Sequence, residues 1–327
     1  MQLSVILVNY RGWKKLKPCL ESLRCLHQSK LLWEVLIVDN QSNDGQLETF
    51  ILDFPEFRFI ENSGNFGFAH GCNTGARNTS GEYLMFLNPD TIVNLPALEQ
   101  VLHFAHDHPE FRMVTCQQLT STGKDTRPYG FFLGPATLTS GLRALYRINH
   151  LPYQQKIMSS GEHILLPEWI SGSFMCINRN NLEALGGWCE DYWMYYEDAD
   201  LCKRVRDDGG EIGLLTHVSI FHNHGGASRV NPQIKAITKS EVMFSKHVYV
   251  SRHFSGLTKT WAHSFLIINN LLLGPLIMGL IGVLLWFNAS ARSYLYIYRN
   301  LWRYYFNVIM KKKWISPKAA SYAHPSN

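Results

Sequence analysis

Four short apolar runs open the chain, and each stops on a polar residue. SVILVNY, EVLIVDN, FRFIENS and YLMFLNPD are rich in Val, Ile, Leu and Phe and lead into Asn, Asp or Ser. Between them the apolar period changes. Leu16, Leu20 and Leu23 recur at helical spacing, and the stretch from Phe68 to Arg77 has the same character. Continuous apolar strands alternating with amphipathic helices predict an α/β fold whose parallel strands are covered on both faces. Ligands of such sheets bind at the carboxyl ends of the strands, where Asn9, Asp39, Asn62 and Asp90 fall.

Periodicity weakens over roughly 120–165, where STGKDTRPYG and FFLGPA predict loops and short helices over the crevice. Order returns with ISGSFMCINR, GGWCEDYWMYYEDADLCKRVRDDGG and EIGLLTHVSIFHNHGGAS. The second of these predicts a helix from about Glu197, with Leu201 and Val205 on one face and Gly209-Gly210 as its stop. From about Trp261 the pattern changes again. Residues 265–287 form a nearly continuous apolar run of about 23 residues, long enough to span a bilayer. Asn269, Asn270 and Gly274-Pro275 interrupt it, which favours two short helices in one leaflet over a single span. An aromatic and basic segment, SYLYIYRNLWRYYFNVIMKKKW, follows. This pattern divides the chain into an α/β domain at 1–230 and a helical, membrane-associating region at 231–327.

Charge sharpens that division. The first 241 residues carry 21 basic and 26 acidic side chains, whereas the last 86 carry ten basic and no acidic ones. A hydrophobic content of 46% with 17% charge excludes a disordered chain. The seven cysteines show no CxxC spacing, so neither a zinc site nor a disulfide framework is indicated and a reducing compartment is expected. The start, MQLSVILVNYRGW, reads as a first strand and not as a leader, because no basic region precedes its short apolar run.

Each candidate for chemistry has a structural alternative. Asp39 can accept hydrogen bonds from a base or ribose, or simply shape an Asx turn. The segment ENSGNFGFAHGCNTGARNTSG places Asn65, Gly67 and Asn73 around a helix start that suits phosphate; its glycines serve tight helix–strand packing equally well. It is not GxGxxG after the first strand, so a dinucleotide site is disfavoured. In NPD, Asp90 can hold Mg²⁺ or Mn²⁺ against a diphosphate and Asn88 can add a neutral oxygen, or Asn-Pro only starts a turn. Glu197, Asp198 and Asp200 crowd a helix start, where the dipole keeps acids ionised. The run WMYY sets them beside a partly apolar wall. His222 and His224 follow a strand and can complete a metal site or bind phosphate; the pattern alone leaves the choice between them open.

Taken together, VNY, VDNQSNDG, GNFGFAHGCNTGA, YLMFLNPDT, SGSFMCINR, GGW and YYEDADLCKR occur in an order that resembles family-2 glycosyltransferases of the rhamnosyltransferase-like branch, over about two thirds of the chain. The resemblance implies a GT-A fold and inverting transfer from a nucleotide-diphosphate sugar. It implies that Asn9 and Asp39 bind the nucleotide, that Asp90 is the metal-binding acid, that Asp198 is the catalytic base, and that a histidine of HNHGG lies near the metal or diphosphate. Asn88 replaces the first acid of a full DxD motif. The implied cofactor is Mg²⁺ or Mn²⁺. The implied acceptor is a lipid-linked saccharide of bacterial cell-surface polysaccharide, reached from the cytoplasmic face of the inner membrane. Nucleic acid is not an expected partner, and the oligomeric state is not specified. The competing readings are a nucleotidyltransferase, for which VNYRGWKK is a poor phosphate loop, and a non-catalytic sugar-binding relative, which intact Asp90 and Asp198 disfavour.

Overall fold

The computed structural model describes residues 2–150, 155–158, 163–223, 232–273, 280–281, 283–285, 287 and 289–323. Their contacts form two units. The first takes in 1–132, 150–189 and 197–224, and the second 133–149, 190–196 and 225–327, each over its described residues.

The first unit is built on one sheet. β1 (Gln2–Asn9), β2 (Leu32–Asp39), β3 (Arg58–Glu61) and β4 (Tyr83–Leu87) are the four apolar runs, and they pair in parallel in the order β3-β2-β1-β4. They are followed by β5 (Thr91–Ile92), β6 (Phe111–Leu119), β7 (Tyr129–Gly130), β8 (Gln155–Ile157), β9 (His163–Leu165), β10 (Trp169–Ile170), β11 (Phe174–Asn178) and β12 (Glu211–His222). The sheet continues from β4 as β11-β6-β12-β9-β8, with β5 against β12, while β7 and β10 form a separate ribbon. β11 runs antiparallel to both β4 and β6, so the sheet is mostly parallel, as expected of a GT-A fold. β6 and β12 are parallel again.

Helices cover both faces. They are α1 (Trp13–Leu23), α2 (Leu47–Asp53), α3 (Phe68–Arg77), α4 (Leu95–Asp107), α6 (Arg179–Ala184) and α7 (Glu197–Asp207), while α5 (Ser140–His150) belongs to the second unit. Alternation along the strands explains the two layers. Leu3, Val5 and Leu7 of β1 share one core with Leu16 and Leu20 of α1, and with Leu98 and Val101 of α4. Ile6 and Val8 share the other with Ala69 and Cys72 of α3, and with Leu201 and Val205 of α7. α3 lies so close to β1 that a Cβ on Gly75 would meet Ile6 Cγ2 at 2.3 Å. The helix predicted to start near Glu197 is α7, with Leu201 and Val205 fully buried.

The second unit is helical: α8 (Pro232–His253), α9 (Gly256–Ile268), a π-helical turn Asn269–Leu273, α10 (Ala289–Lys311) and α11 (Ala320–Ala323). Within 120–165, α5 is the longest helix, at eleven residues. Phe244 stacks on Tyr304 at 4.1 Å between centroids, and Trp314 stacks on His247 and His263 at 4.5 and 4.2 Å. Burial, aided by Lys259, pulls His263 down to about 4, so these stacked rings are neutral at pH 7. Burial likewise lowers His247, whose Nε2 bonds the Tyr305 hydroxyl at 2.9 Å. Among the described residues no helix is long and apolar enough to cross a membrane. Gly274-Pro275, the expected turn within 265–287, lies outside the described residues.

Candidate active site

Strand ends supply the site, as α/β geometry requires. β1 and β2 are in register, so Asn9 and Asp39 are paired neighbours at their carboxyl ends. Asn9 Nδ2 donates to Asp39 Oδ1 at 2.9 Å, and Asp39 also accepts from the Ser42 hydroxyl at 2.6 Å and the Ser42 N–H at 2.7 Å. Both side chains are fully buried. Ser42 Oγ takes the Arg11 N–H at 2.7 Å, and Arg11 Nε reaches the Ser42 carbonyl at 3.0 Å. A second network sits one strand further out. Asn62 Nδ2 donates to Asn40 Oδ1 at 2.8 Å, and Asn40 Nδ2 donates to the Gly67 carbonyl at 3.1 Å. Gly67 precedes α3 with φ +106°, a conformation that favours glycine. Asn65 lies half-buried just before it.

Asn73 has a different position. It points from α3 to the GGW segment, where Nδ2 donates to the Trp188 carbonyl at 2.9 Å and Oδ1 accepts the Trp188 N–H at 2.8 Å. That clamp holds the loop between α6 and α7.

Asp90 follows β4 in the turn Asn88-Pro89-Asp90. The Asn88 carbonyl accepts from the Thr91 hydroxyl at 2.8 Å, and its N–H donates to Ser173 O at 2.9 Å, so the turn is tied to the start of β11. Lys15 Nζ, from the first turn of α1, lies 3.0 Å from Asp90 Oδ2. His222 Nε2, from the end of β12, lies 3.1 Å from Oδ1. Burial alone raises the Asp90 carboxyl. The hydrogen bond and charge of His222, then those of Lys15, outweigh it and bring the group to about 2. His222 Nδ1 is held by Gln118 Oε1 at 2.6 Å, and the same oxygen accepts the Ser173 hydroxyl at 2.9 Å. Lys15, Gln118 and Ser173 were not singled out in the sequence. His222 is the histidine brought to Asp90, while His224 lies outside the described residues.

The three acids at the head of α7 separate by surroundings. Asp200 is fully buried and paired with Arg204 Nε at 2.9 Å; Arg204 Nη1 also binds the Leu185 and Gly187 carbonyls. Glu197 is buried. Asp198 is half-buried and accepts the Ala199 N–H at 2.8 Å. Its carboxyl is raised to about 6 by burial, against the lowering effect of the backbone N–H groups of Ala199, Gly172 and Asp198 itself. Gly172 and Ser173 are adjacent. One short segment therefore touches Asp198 through a backbone N–H and, through Ser173, the Gln118–His222–Asp90 chain.

Among the described residues no three of His, Cys, Asp and Glu converge as a metal cage. The donor set still fits a hard divalent cation shared with a phosphate substrate, since such ions commonly use only one or two protein ligands. Asp90 Oδ1 and His222 Nε2 converge, and Gln118 orients the far nitrogen of the ring, as partners of metal-binding histidines do.

This α/β sheet, with antiparallel β11 set between β4 and β6, has the GT-A fold. The glycosyl transferase family 2 model matches residues 4–161 of the chain. It is 24% identical over 225 residues to the low-salt glycan biosynthesis hexosyltransferase Agl10 of Haloferax volcanii, covering 68% of this chain and 67% of that one. It is 23% identical over 261 residues to the N-acetylglucosaminyl-diphospho-decaprenol L-rhamnosyltransferase of Mycobacterium tuberculosis, covering 74% and 83%. In fold it is similar to the mannosyltransferase PcManGT of Pyrobaculum calidifontis, solved with GDP-Man and Mn²⁺, with a TM-score of 0.52, 16% identity and coverage of 95% and 88%.

Proposed function

We propose that this glycosyltransferase transfers a hexose or deoxyhexose, with rhamnose the leading candidate, from a nucleotide-diphosphate sugar to a lipid-linked saccharide, with inversion. The observation that carries the reading is the Gly172-Ser173 segment, which links a carboxylate poised near pH 6 to a second, permanently ionised one. The donor class is supported by the GDP-Man in PcManGT, and the acceptor class by the diphospho-decaprenol in the mycobacterial relative's name.

In this reading Asn9 and Asp39 floor the nucleotide site and the backbone ahead of α3 lines it. Asp90 and His222 would hold a Mg²⁺ or Mn²⁺ ion, which commonly takes only one or two protein ligands. When bound, the ion neutralises charge developing on the leaving diphosphate. Lys15 adds a fixed positive charge beside Asp90. Asp198 takes the proton of the acceptor hydroxyl as it attacks the anomeric carbon. Its raised pKa makes it a stronger base than an ordinary aspartate while leaving it ionised at pH 7. Nucleotide diphosphate leaves without needing a proton, so one base suffices.

The C-terminal unit is read as a peripheral or monotopic anchor on the cytoplasmic face of the inner membrane. On α10, Trp302, Phe306, Ile309 and Met310 are exposed at helical spacing, and Lys311, Lys312 and Lys313 follow them. On α5, Leu142, Leu145 and Ile148 are exposed in the same way. Stripes of this kind insert into a lipid interface while cations meet anionic headgroups.

The deciding experiment incubates the purified chain with labelled dTDP-rhamnose, UDP-hexoses and GDP-mannose, with and without Mg²⁺ or Mn²⁺. Release of free sugar or its transfer to a diphospholipid saccharide from one donor is the expected result. Conversion of that donor, on addition of pyrophosphate, to nucleoside triphosphate and sugar 1-phosphate would instead identify a nucleotidyltransferase.

A further inference from the structure

Lys15 and a divalent cation compete for one carboxylate. The Lys15 ammonium lies 3.0 Å from Asp90 Oδ2, and His222 Nε2 lies 3.1 Å from Oδ1. A dication held by Asp90 through either oxygen would come close to that ammonium, and like charges at such range repel. The pair is open to solutes. The Lys15 side chain is 33% exposed and that of Asp90 17%. An ammonium has three donors. Among the described residues Lys15 spends one of them, on Asp90.

The setting of α1 shows which acceptor would take the others. Gly12, just ahead of α1, donates its N–H to Asn9 Oδ1 at 3.1 Å. A Cβ on Gly12 would stand 2.8 Å from that oxygen and 3.9 Å from Pro89 Cγ. The start of the helix is thus wedged between the end of β1 and the Asn88-Pro89-Asp90 turn. Leu16, Cys19 and Leu20 are fully buried, and Cys19 Sγ lies 3.7 Å from Thr91 Oγ1. The helix is pinned, while the four-carbon lysine stem is flexible. Lys15 therefore joins two parts of the site: its helix is tethered to Asn9, at the nucleotide floor, and its ammonium to Asp90. In a nucleotide-diphosphate sugar, the group that joins nucleotide to sugar is the diphosphate, and lysine binds phosphate as a point charge. We propose that Lys15 binds the donor's diphosphate by leaving Asp90, an inference that rests on reading this site as one for a nucleotide diphosphate. In the free chain the ammonium opposes uptake of the ion. The diphosphate draws it off and leaves the carboxylate to the ion.

The test reads binding and needs no turnover. Mn²⁺ uptake by the purified full-length chain is followed from loss of the free-ion spin-resonance signal. Uridine, thymidine and guanosine mono- and diphosphates are titrated by calorimetry in chelator. Lys15→Met keeps an unbranched stem and removes the charge. It should tighten Mn²⁺ binding to the nucleotide-free chain about tenfold, and weaken the preferred diphosphate in chelator by about tenfold, the size of one charge-assisted hydrogen bond. The matching monophosphate should bind nearly as before. A misfolded variant would lose both ligands, so shifts of opposite sign report the lysine itself. Lys17→Met, which removes an exposed charge from the same helix, should change neither affinity. The proposal is overturned by Mn²⁺ binding that is unchanged or weaker in Lys15→Met, by equal losses for mono- and diphosphate, or by equal effects of Lys17→Met. If the wild-type chain binds none of the diphosphates, the nucleotide-diphosphate reading falls as well. If it binds one and Lys15→Met binds it equally well, the Lys15 assignment alone falls.

Discussion

Asp198 and Asp200 sit two residues apart on α7, and their neighbours assign them opposite consequences. Asp198→Asn keeps the shape and the bond from Ala199 but cannot take a proton. Transfer should fall by about two to four orders of magnitude while donor affinity holds, read from kcat and from direct titration of the donor. Wild-type activity should rise with pH through a midpoint near 6. The stability effect has the opposite sign. The folded carboxyl titrates above its unfolded value, so its favourable contribution is full below about pH 4 and is lost as pH rises through 6. At pH 7.5 the Asn variant should therefore be more stable, by on the order of 1 kcal/mol after allowing for solvent contact, and that gain should shrink at pH 4 in denaturant titrations. Asp200→Asn should do the reverse. It strips the buried partner from Arg204 and should cost on the order of 3 kcal/mol in stability, with activity per folded molecule nearly retained. Much of this cluster was legible. Asp90 and Asp198 stand out because one ends an apolar run and the other opens a helix. Lys15, Gln118 and Ser173 did not, because each looks like an ordinary polar residue until long-range strand pairing brings it to His222 or Asp90.

At the scale of elements, α3 and β1 make the tightest contact in the strand-end framework. Gly75 has no room for a methyl group against Ile6, so Gly75→Ala should destabilise by about 1–3 kcal/mol through overpacking, and Gly75→Ala with Ile6→Val should recover part of the loss in thermal melts. The glycine-rich segment thus serves packing at Gly75 and a left-handed helix entry at Gly67, two needs that the sequence pattern alone does not separate. The four leading strands were legible because each is a continuous apolar run bounded by turn formers. The direction of β11 was not. FMCIN is apolar on both faces, and hydrophobicity carries no sign of strand polarity. α5 falls within 120–165, where short helices were expected; its bounds were not legible, and Leu142, Leu145 and Ile148 of its apolar stripe are exposed.

Across the whole molecule, acid and base are segregated by position in the chain, with no acid after Glu241. If α10 and its lysines meet lipid, the full-length chain should float with vesicles containing phosphatidylglycerol and much less with neutral phosphatidylcholine. Trp302→Ser/Phe306→Ser should release it without lowering the melting temperature, because both side chains are exposed. Each lysine near the surface contributes about 1 kcal/mol, so Lys311–Lys313→Gln should weaken flotation and make it insensitive to salt. Retention on neutral vesicles with unchanged affinity would point to insertion of 265–287 as the anchor instead. The aromatic and basic composition of this region was legible; the stacking of Phe244 on Tyr304 was not, since it depends on how two helices far apart in sequence face one another.

The chain of contacts from Lys15 through Asp90, His222 and Gln118 to Ser173 also sets a timetable. β12 is the last strand among the described residues, yet it lies inside the sheet, between β6 and β9. As residues emerge in order during synthesis, β1 to β4 can pair and Asp90 can meet Lys15 early, while the slot beside β6 stays open and exposes its edge. Only when His222 arrives does the slot close and the carboxylate gain its second partner. The Asp90 cluster is therefore complete only once most of the chain has been made, and the open edge of β6 is the surface that needs shielding until then.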